Sequence, residues 1–288
     1  MESLAPWERI RARARFFLAP GATQPASMDI EQVAVKRFAV PLLTLAAGCG
    51  HLAEPIGRDP VDAQFVFPRE GARSADVQLL TNGDLSVRGG SCSLLQARAR
   101  YDAKRANAKT EYALDENGQA VVEVELMGNS GRGGNMDLGV CLSTELPIGL
   151  RATSTLGDVG LDLSGVQIRG LGATVGTGDL DVDFGDASVA QASIELQAGT
   201  GGIDVDAKRS TWTGTNEIEI AAGTGDVTVY LPRGVGLRVE VQSGIGDVDV
   251  RGLERDGDAY KNSLAASSDN VIAVEIEVGT GDVTVIAG

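Results

Sequence analysis

The chain has 288 residues, 43% of them hydrophobic, which is enough to bury the core of one large or two ordinary domains. Its formal net charge of -15 argues against a nucleic-acid binder, because acidic outer faces repel a phosphate backbone. Thirty-eight glycines beside only six Phe and two Trp fit tight corners and thin β-branched layers, and the acidic excess suits solubility, a cation or a basic partner.

Residues 1–27 carry Arg9, Arg11, Arg13 and Arg15 and then a Pro/Gly/Ala stretch, and read as an extension outside the mature protein. A better secretory signal begins at Met28. Lys36-Arg37 precede an apolar run from Phe38 to Ala47, broken only by Pro41 and Thr44, and small residues follow. That is the signal-peptide pattern over 28–48, and the run is too short to span a bilayer. The segment Leu45-Ala46-Ala47-Gly48-Cys49 resembles a bacterial lipobox, although Ala46 stands where leucine is commonest. The resemblance implies lipidation of Cys49 and a membrane anchor; the alternative is an ordinary buried cysteine in an amphipathic helix. Residues 49–74, with Pro55, Pro60 and Pro68, then read as a tether.

Beyond Cys49 the chain holds Cys92 and Cys141, an even pair that an oxidising compartment would join; two unpaired buried thiols are the alternative. The β-domain is expected over 75–288. Its first part is irregular. Val77 to Val87 is a degenerate copy of the later repeat with Asn82-Gly83 at the corner, and Asn117-Gly118 marks a hairpin between Tyr112 to Asp115 and Val121 to Leu126. Arg98, Arg100, Lys104, Arg105 and Lys109 form a basic strip, read as a solvated edge strand in preference to a nucleic-acid site. Gly128 to Gly134 is a glycine-rich loop.

From Leu156 onward one phrase returns: Gly-x-Gly-Asp, then an alternating apolar strand. Its corner glycines are Gly157, Gly178, Gly201, Gly225, Gly246 and Gly281, at intervals of 21, 23, 24, 21 and 35 residues. A second alternating strand precedes each corner, as in Ile194, Leu196 and Ala198 or Val274, Ile276 and Val278. Alternation puts these residues on one dry face and Glu195, Glu217, Glu219, Glu240, Glu275 and Glu277 on the wet one. A period in the low twenties with strands on both sides of a glycine corner predicts an all-β solenoid of stacked short strands, in which no copy buries its face alone.

The glycine corners are not nucleotide loops, since each runs into a strand and neither a dinucleotide fingerprint nor a P-loop fits. The nine-residue calcium roll fails on spacing. If the copies stack in register, Asp158, Asp179, Asp226, Asp247 and Asp282 form a column, and Asp179, Asp226 and Asp247 are its candidate metal ligands. The favoured alternative is that each aspartate accepts N–H groups of its own turn; Gly202 interrupts the column in the third copy. His51, the one histidine, lies beside the expected anchor, so a histidine-based catalytic set on the folded body is excluded. Trp212 reads as a cap over a layer rather than a sugar platform, and no catalytic or cofactor residue stands out.

The phrases Leu146-Pro147-Ile148-Gly149-Leu150, Gly157 to Gly165 and Gly223 to Pro232 resemble the bacterial adhesin-like toast-rack β-solenoid superfamily, which is similar to the C-terminal domain of cell-wall-active antibiotic response proteins. The resemblance covers most of 75–288 and implies a right-handed β-solenoid at the cell envelope, without catalysis, in adhesion, scaffolding or stress sensing. The long interval before Gly281, filled by Leu253 to Asn270, reads as a projecting loop. The expected protein is a lipid-anchored, non-enzymatic envelope module that meets the membrane through its lipid and an envelope protein or cell-wall polymer through its surface. It binds no nucleotide and no nucleic acid. A stress sensor is the alternative, and a polysaccharide-active β-helix enzyme the more remote one.

Overall fold

The computed structural model describes residues 60–128 and 136–288. The expected extension, signal peptide and Cys49, and most of the glycine-rich loop, lie outside the described residues. Among the described residues every regular element is a strand. The first part of the chain forms β1 (Pro60–Phe67), β2 (Ser74–Thr81), β3 (Asp84–Gly90), β4 (Leu95–Asp102), β5 (Ala106–Leu114), β6 (Gln119–Gly128) and β7 (Asp137–Ser143). The repeats begin with β8 (Pro147–Leu156), β9 (Val159–Asp162), β10 (Gln167–Thr177), β11 (Leu180–Asp183), β12 (Ser188–Ala190), β13 (Ser193–Thr200), β14 (Ile203–Asp206) and β15 (Thr211–Thr213). They continue with β16 (Thr215–Thr224), β17 (Val227–Leu231), β18 (Gly236–Ile245), β19 (Val248–Arg251), β20 (Glu254–Asp256), β21 (Ala259–Lys261), β22 (Val271–Thr280) and β23 (Val283–Ala287).

Two sheets face each other across one continuous core. Each rung gives a strand to one sheet, turns, and gives the next strand to the other. The rungs lie in the order β6/β7, β2/β3, β8/β9, β10/β11, β13/β14, β16/β17, β22/β23, β18/β19, with parallel pairing throughout. Alternation does what the sequence predicts: Leu180, Val182 and Phe184 are buried while Asp181 and Asp183 face out. Short β12 and β15 add a third wall to the middle rungs, where Trp212 is 2% exposed and its ring lies 5.5 Å from that of Phe184. Trp212 is therefore core, with its indole N–H donating to Ser210 Oγ at 2.7 Å, and is no surface platform.

Three expectations need correction. The fold includes residues before Ala75, because β1, from Pro60, pairs along its whole length with β4; residues 60–74 are thus not tether. The basic strip is not one edge strand: Arg98 and Arg100 sit on β4, which lies between β1 and β7, while Lys109 sits on the true edge strand β5. In place of a projecting loop, Glu254 to Lys261 forms the β20/β21 hairpin, which pairs antiparallel with Arg238 to Glu240 of β18 and extends that sheet.

Chain order and spatial order also part at both ends of the stack. The first rung in sequence, β2/β3, is second in space, and the last, β22/β23, is inserted inside β18/β19. This explains the 35-residue interval before Gly281: the chain must leave the outer rung, turn through β20/β21, and return to the gap beside β16/β17. The inserted strands are hydrogen-bonded on both sides, so the last strands in sequence do not form the open edge.

Candidate interaction surfaces

The corners are built by close approach of backbone. Gly178, Gly201, Gly225, Gly246 and Gly281 have φ between 135° and 145°, and a Cβ on any of them would fall within 3.0 Å of the carbonyl oxygen of the adjacent corner glycine. Only glycine holds that conformation at that distance. The corner aspartates come into one column, in the spatial order Asp84, Asp158, Asp179, Asp226, Asp282, Asp247, with Gly202 between Asp179 and Asp226. Their carboxylates do not bond their own turn, as the favoured reading had it. All but Asp247 reach along the stack: Asp158 Oδ1 accepts the N–H of Asp179 at 2.9 Å, Asp179 Oδ1 that of Gly202 at 2.8 Å, Asp226 Oδ1 that of Asp282 at 2.9 Å, and Asp282 Oδ1 that of Asp247 at 2.9 Å. Asp84, in the degenerate copy, does the same for Asp158 at 3.1 Å.

The column is therefore a set of rung-to-rung clasps. Among the described residues no group of three or more His, Cys, Asp or Glu is placed to hold a metal ion. The candidate ligands Asp179 and Asp226 are engaged with backbone donors, whereas Asp247 stands on the last rung, beyond which no further corner follows. The sequence signal for the clasp was the repetition of Asp after five of the six corner glycines, but its direction depends on which rungs are neighbours.

Cys92 follows β3 and Cys141 lies on the adjacent β7; the two are joined as a disulfide with their Cα atoms 6.3 Å apart. The bond spans 49 residues, so chain-entropy loss in the unfolded state gives it about 4 kcal/mol. Thermal melts with and without reductant are expected to differ by about 10 °C, and the Cys92→Ala/Cys141→Ala variant should melt where the reduced protein does.

The outer faces are ladders of like charge. Glu195, Glu219, Glu275 and Glu240 lie in register across four adjacent strands of one sheet. On the other sheet Asp181 stands beside Asp204, and Asp183 beside Asp206. Surface cations partly offset the second pair of columns: Lys208 Nζ lies 2.8 Å from Asp206, and Arg209 is 3.7 Å from Asp183. Basic side chains gather instead on the early rungs, where Arg98 pairs with Asp62 and Arg169 with Asp76.

The crowding shows in protonation. Partial burial, then the charges of Asp181 and Asp206, push the Asp204 carboxyl above its ordinary value of 3.8. The folded protein then holds that proton more tightly than the unfolded chain, so the ionised carboxylate costs stability above its folded pKa, and the cost disappears as the pH falls below 3.8. Asp204→Asn is expected to raise the melting temperature at neutral pH by about 1–2 °C and to change it little in acid. Asp62 behaves oppositely: the hydrogen bond from Arg98 lowers its pKa, and its contribution is lost as the pH falls through the folded value.

A stack of parallel rungs with glycine corners, an apolar interior and charged ladders outside defines a repeat module of the β-solenoid class. Residues 57–206 match the family model for the N-terminal domain of toast_rack (DUF2154), just over half of the chain, and the protein belongs to that family. Residues 178–285 match a second model, the C-terminal region of the cell wall-active antibiotics response protein LiaF. Among solved structures, the chain is similar to a "putative cell adhesion protein" from Clostridium sporogenes, at 20% identity and a TM-score of 0.60, covering 80% of this chain and 100% of that one. A "putative adhesin" from Bacteroides fragilis is similar at 12% identity with a TM-score of 0.30, covering 80% and 98%. The first likeness shows the shared fold. Comparison with curated proteins gives no match.

Proposed function

We propose that this protein is a non-enzymatic module of the bacterial cell envelope, held to a membrane by lipid on Cys49, whose solenoid presents its flat outer faces to an envelope protein or a cell-wall polymer. The observation that carries the proposal is the distribution of polar groups: among the described residues they run in columns along two sheets, as in Glu195, Glu219, Glu275 and Glu240, and serve surface area rather than a converging reaction centre. The match of 178–285 to a family described by its response to cell wall-active antibiotics supports an envelope setting. The lipobox-like run before Cys49 supports anchoring.

Mass spectrometry of the mature N-terminus tests the anchor. A diacylated or triacylated Cys49 is the expected species, and an unprocessed Met1 overturns export and anchoring together. Binding is tested by co-sedimentation with isolated cell wall and by pull-down from detergent extracts. The same match of 178–285 favours a second reading, an extracytoplasmic stress sensor. A membrane-protein partner whose capture changes when cells meet a wall-active antibiotic supports the sensor, whereas capture by wall polymer alone supports the adhesin-like or scaffold role. Turnover of any polysaccharide by the purified protein overturns the non-enzymatic reading.

A further inference from the structure

The two ends of the stack are finished differently. At the early end, antiparallel strands carry both sheets on past the last rung: β4 and β1 lie beyond β7, and β5 beyond β6. At the late end the β20/β21 hairpin extends one sheet, but in the other sheet β19 is the outermost strand, and among the described residues none pairs with its outer side. Val248 is 40% exposed there, although Val283 and Val227, its partners down the same ladder, are fully buried. Ile245 is 71% exposed at a corner position that Thr280 and Thr224 hold in the rungs behind it.

We infer that this open edge is the contact through which two copies of the chain pair tail to tail, β19 against β19 and antiparallel, about a twofold axis at Val250. Hydrogen bonding sets the register. Val283 N–H donates to the Asp247 carbonyl at 2.8 Å, so the alternation of a parallel ladder turns Asp249 toward β23 and leaves the N–H and C=O groups of Val248 and Val250 pointing outward. Two antiparallel copies centred on Val250 exchange N–H and C=O groups between the Val250 residues, which is the pairing a twofold axis demands.

Charge complementarity selects a second copy as the occupant. In that register Asp249 of one copy lies directly opposite Arg251 of the other, on the outer face, and the relation is repeated by symmetry. Within one chain the same side chains pair with each other, Arg251 Nε lying 2.9 Å from Asp249, and each is about half exposed or more, so both can turn to a cross-strand partner. The inward Val248 and Val250 of the two copies meet on the core side. The early end presents the antiparallel strands β1 and β5 as its outermost strands, so a tail finds no further parallel rung to stack on there. The hairpin stands beyond β18 in the other sheet, so the two solenoids meet at an angle.

The test is the molar mass of the full-length protein in solution, by sedimentation velocity and light scattering. The wild type is expected to be a dimer at tens of micromolar. Asp249→Arg sets Arg opposite Arg at both symmetric positions, and Arg251→Asp sets Asp opposite Asp; each is expected to weaken association about tenfold to a hundredfold and to run as a monomer. An equimolar mixture of the two variants restores the dimer, because only the mixed pair is complementary. This outcome separates contact between copies from the intrachain pair, which mixing cannot repair. Far-UV circular dichroism verifies that each variant keeps its β-fold, and Asp249→Asn with Arg251→Gln serves as a milder pair if a reversal unfolds. A monomeric wild type, variants that stay dimeric, or a mixture that stays monomeric would overturn the inference.

Discussion

Gly201→Ala is expected to destabilise the protein by more than about 4 kcal/mol, and to leave it unfolded or aggregated at physiological temperature. Gly201 has φ of 136°, where an L side chain is strained, and its Cβ would be driven into the backbone of Gly178, with its carbonyl oxygen the nearest atom. A flexible side chain could move aside; a neighbouring corner cannot, because it is fixed by its own rung. Gly201 also lies in the middle of the stack, and in a quasi-linear array a broken middle rung loses both of its interfaces. Gly160→Ala is the matched control. A Cβ there meets nothing within 4 Å and the backbone has no positive φ, so relief of chain entropy should leave stability unchanged or raise it by about 0.5 kcal/mol. Urea titration followed by circular dichroism measures both.

Trp212→Ala is expected to cost about 3–5 kcal/mol, the largest effect of any core truncation in this aromatic-poor interior. The indole fills the third wall of the middle rungs against Phe184, and the thin aliphatic layers around it cannot close over the space it leaves. Trp212→Phe keeps most of that volume and the ring contact while losing the hydrogen bond to Ser210, and should cost less than half as much. Denaturant midpoints of the three proteins give the comparison. If Trp212 were a cap that could lift away, alanine and phenylalanine would differ little.

Taken together, the corner and the aromatic wall show what kind of stability a solenoid has. Each rung contributes an apolar face too small to bury alone, and the stack closes only where the backbone comes close enough at the corner for the next carboxylate to clasp it. Asp158, Asp179, Asp226 and Asp282 supply those clasps. At Gly202 the side chain is missing, so the joint to the Asp226 rung has no carboxylate clasp; there the N–H of Ile203 donates to the Asp226 carbonyl at 2.9 Å, and the ladder carries the joint by backbone alone.

The period of the glycine corners and the two-residue alternation on either side of them were sufficient, from the residues alone, to give the all-β stack and its dry and wet faces, and the Asn117-Gly118 dipeptide gave its hairpin. These features are local: a side chain's face follows from its place in a strand, and a corner from the conformational freedom of glycine. Tertiary structure alone decided which rungs are neighbours. Copies with the same corner and the same alternating faces are nearly interchangeable partners, so nothing local distinguishes the stacking of β18 on β16 from the insertion of β22 between them. That choice turned the presumed loop before Gly281 into a hairpin, drew Pro60 to Phe67 into the body beside β4, pointed each aspartate at its neighbour's backbone, and left β19 rather than β23 as the open edge.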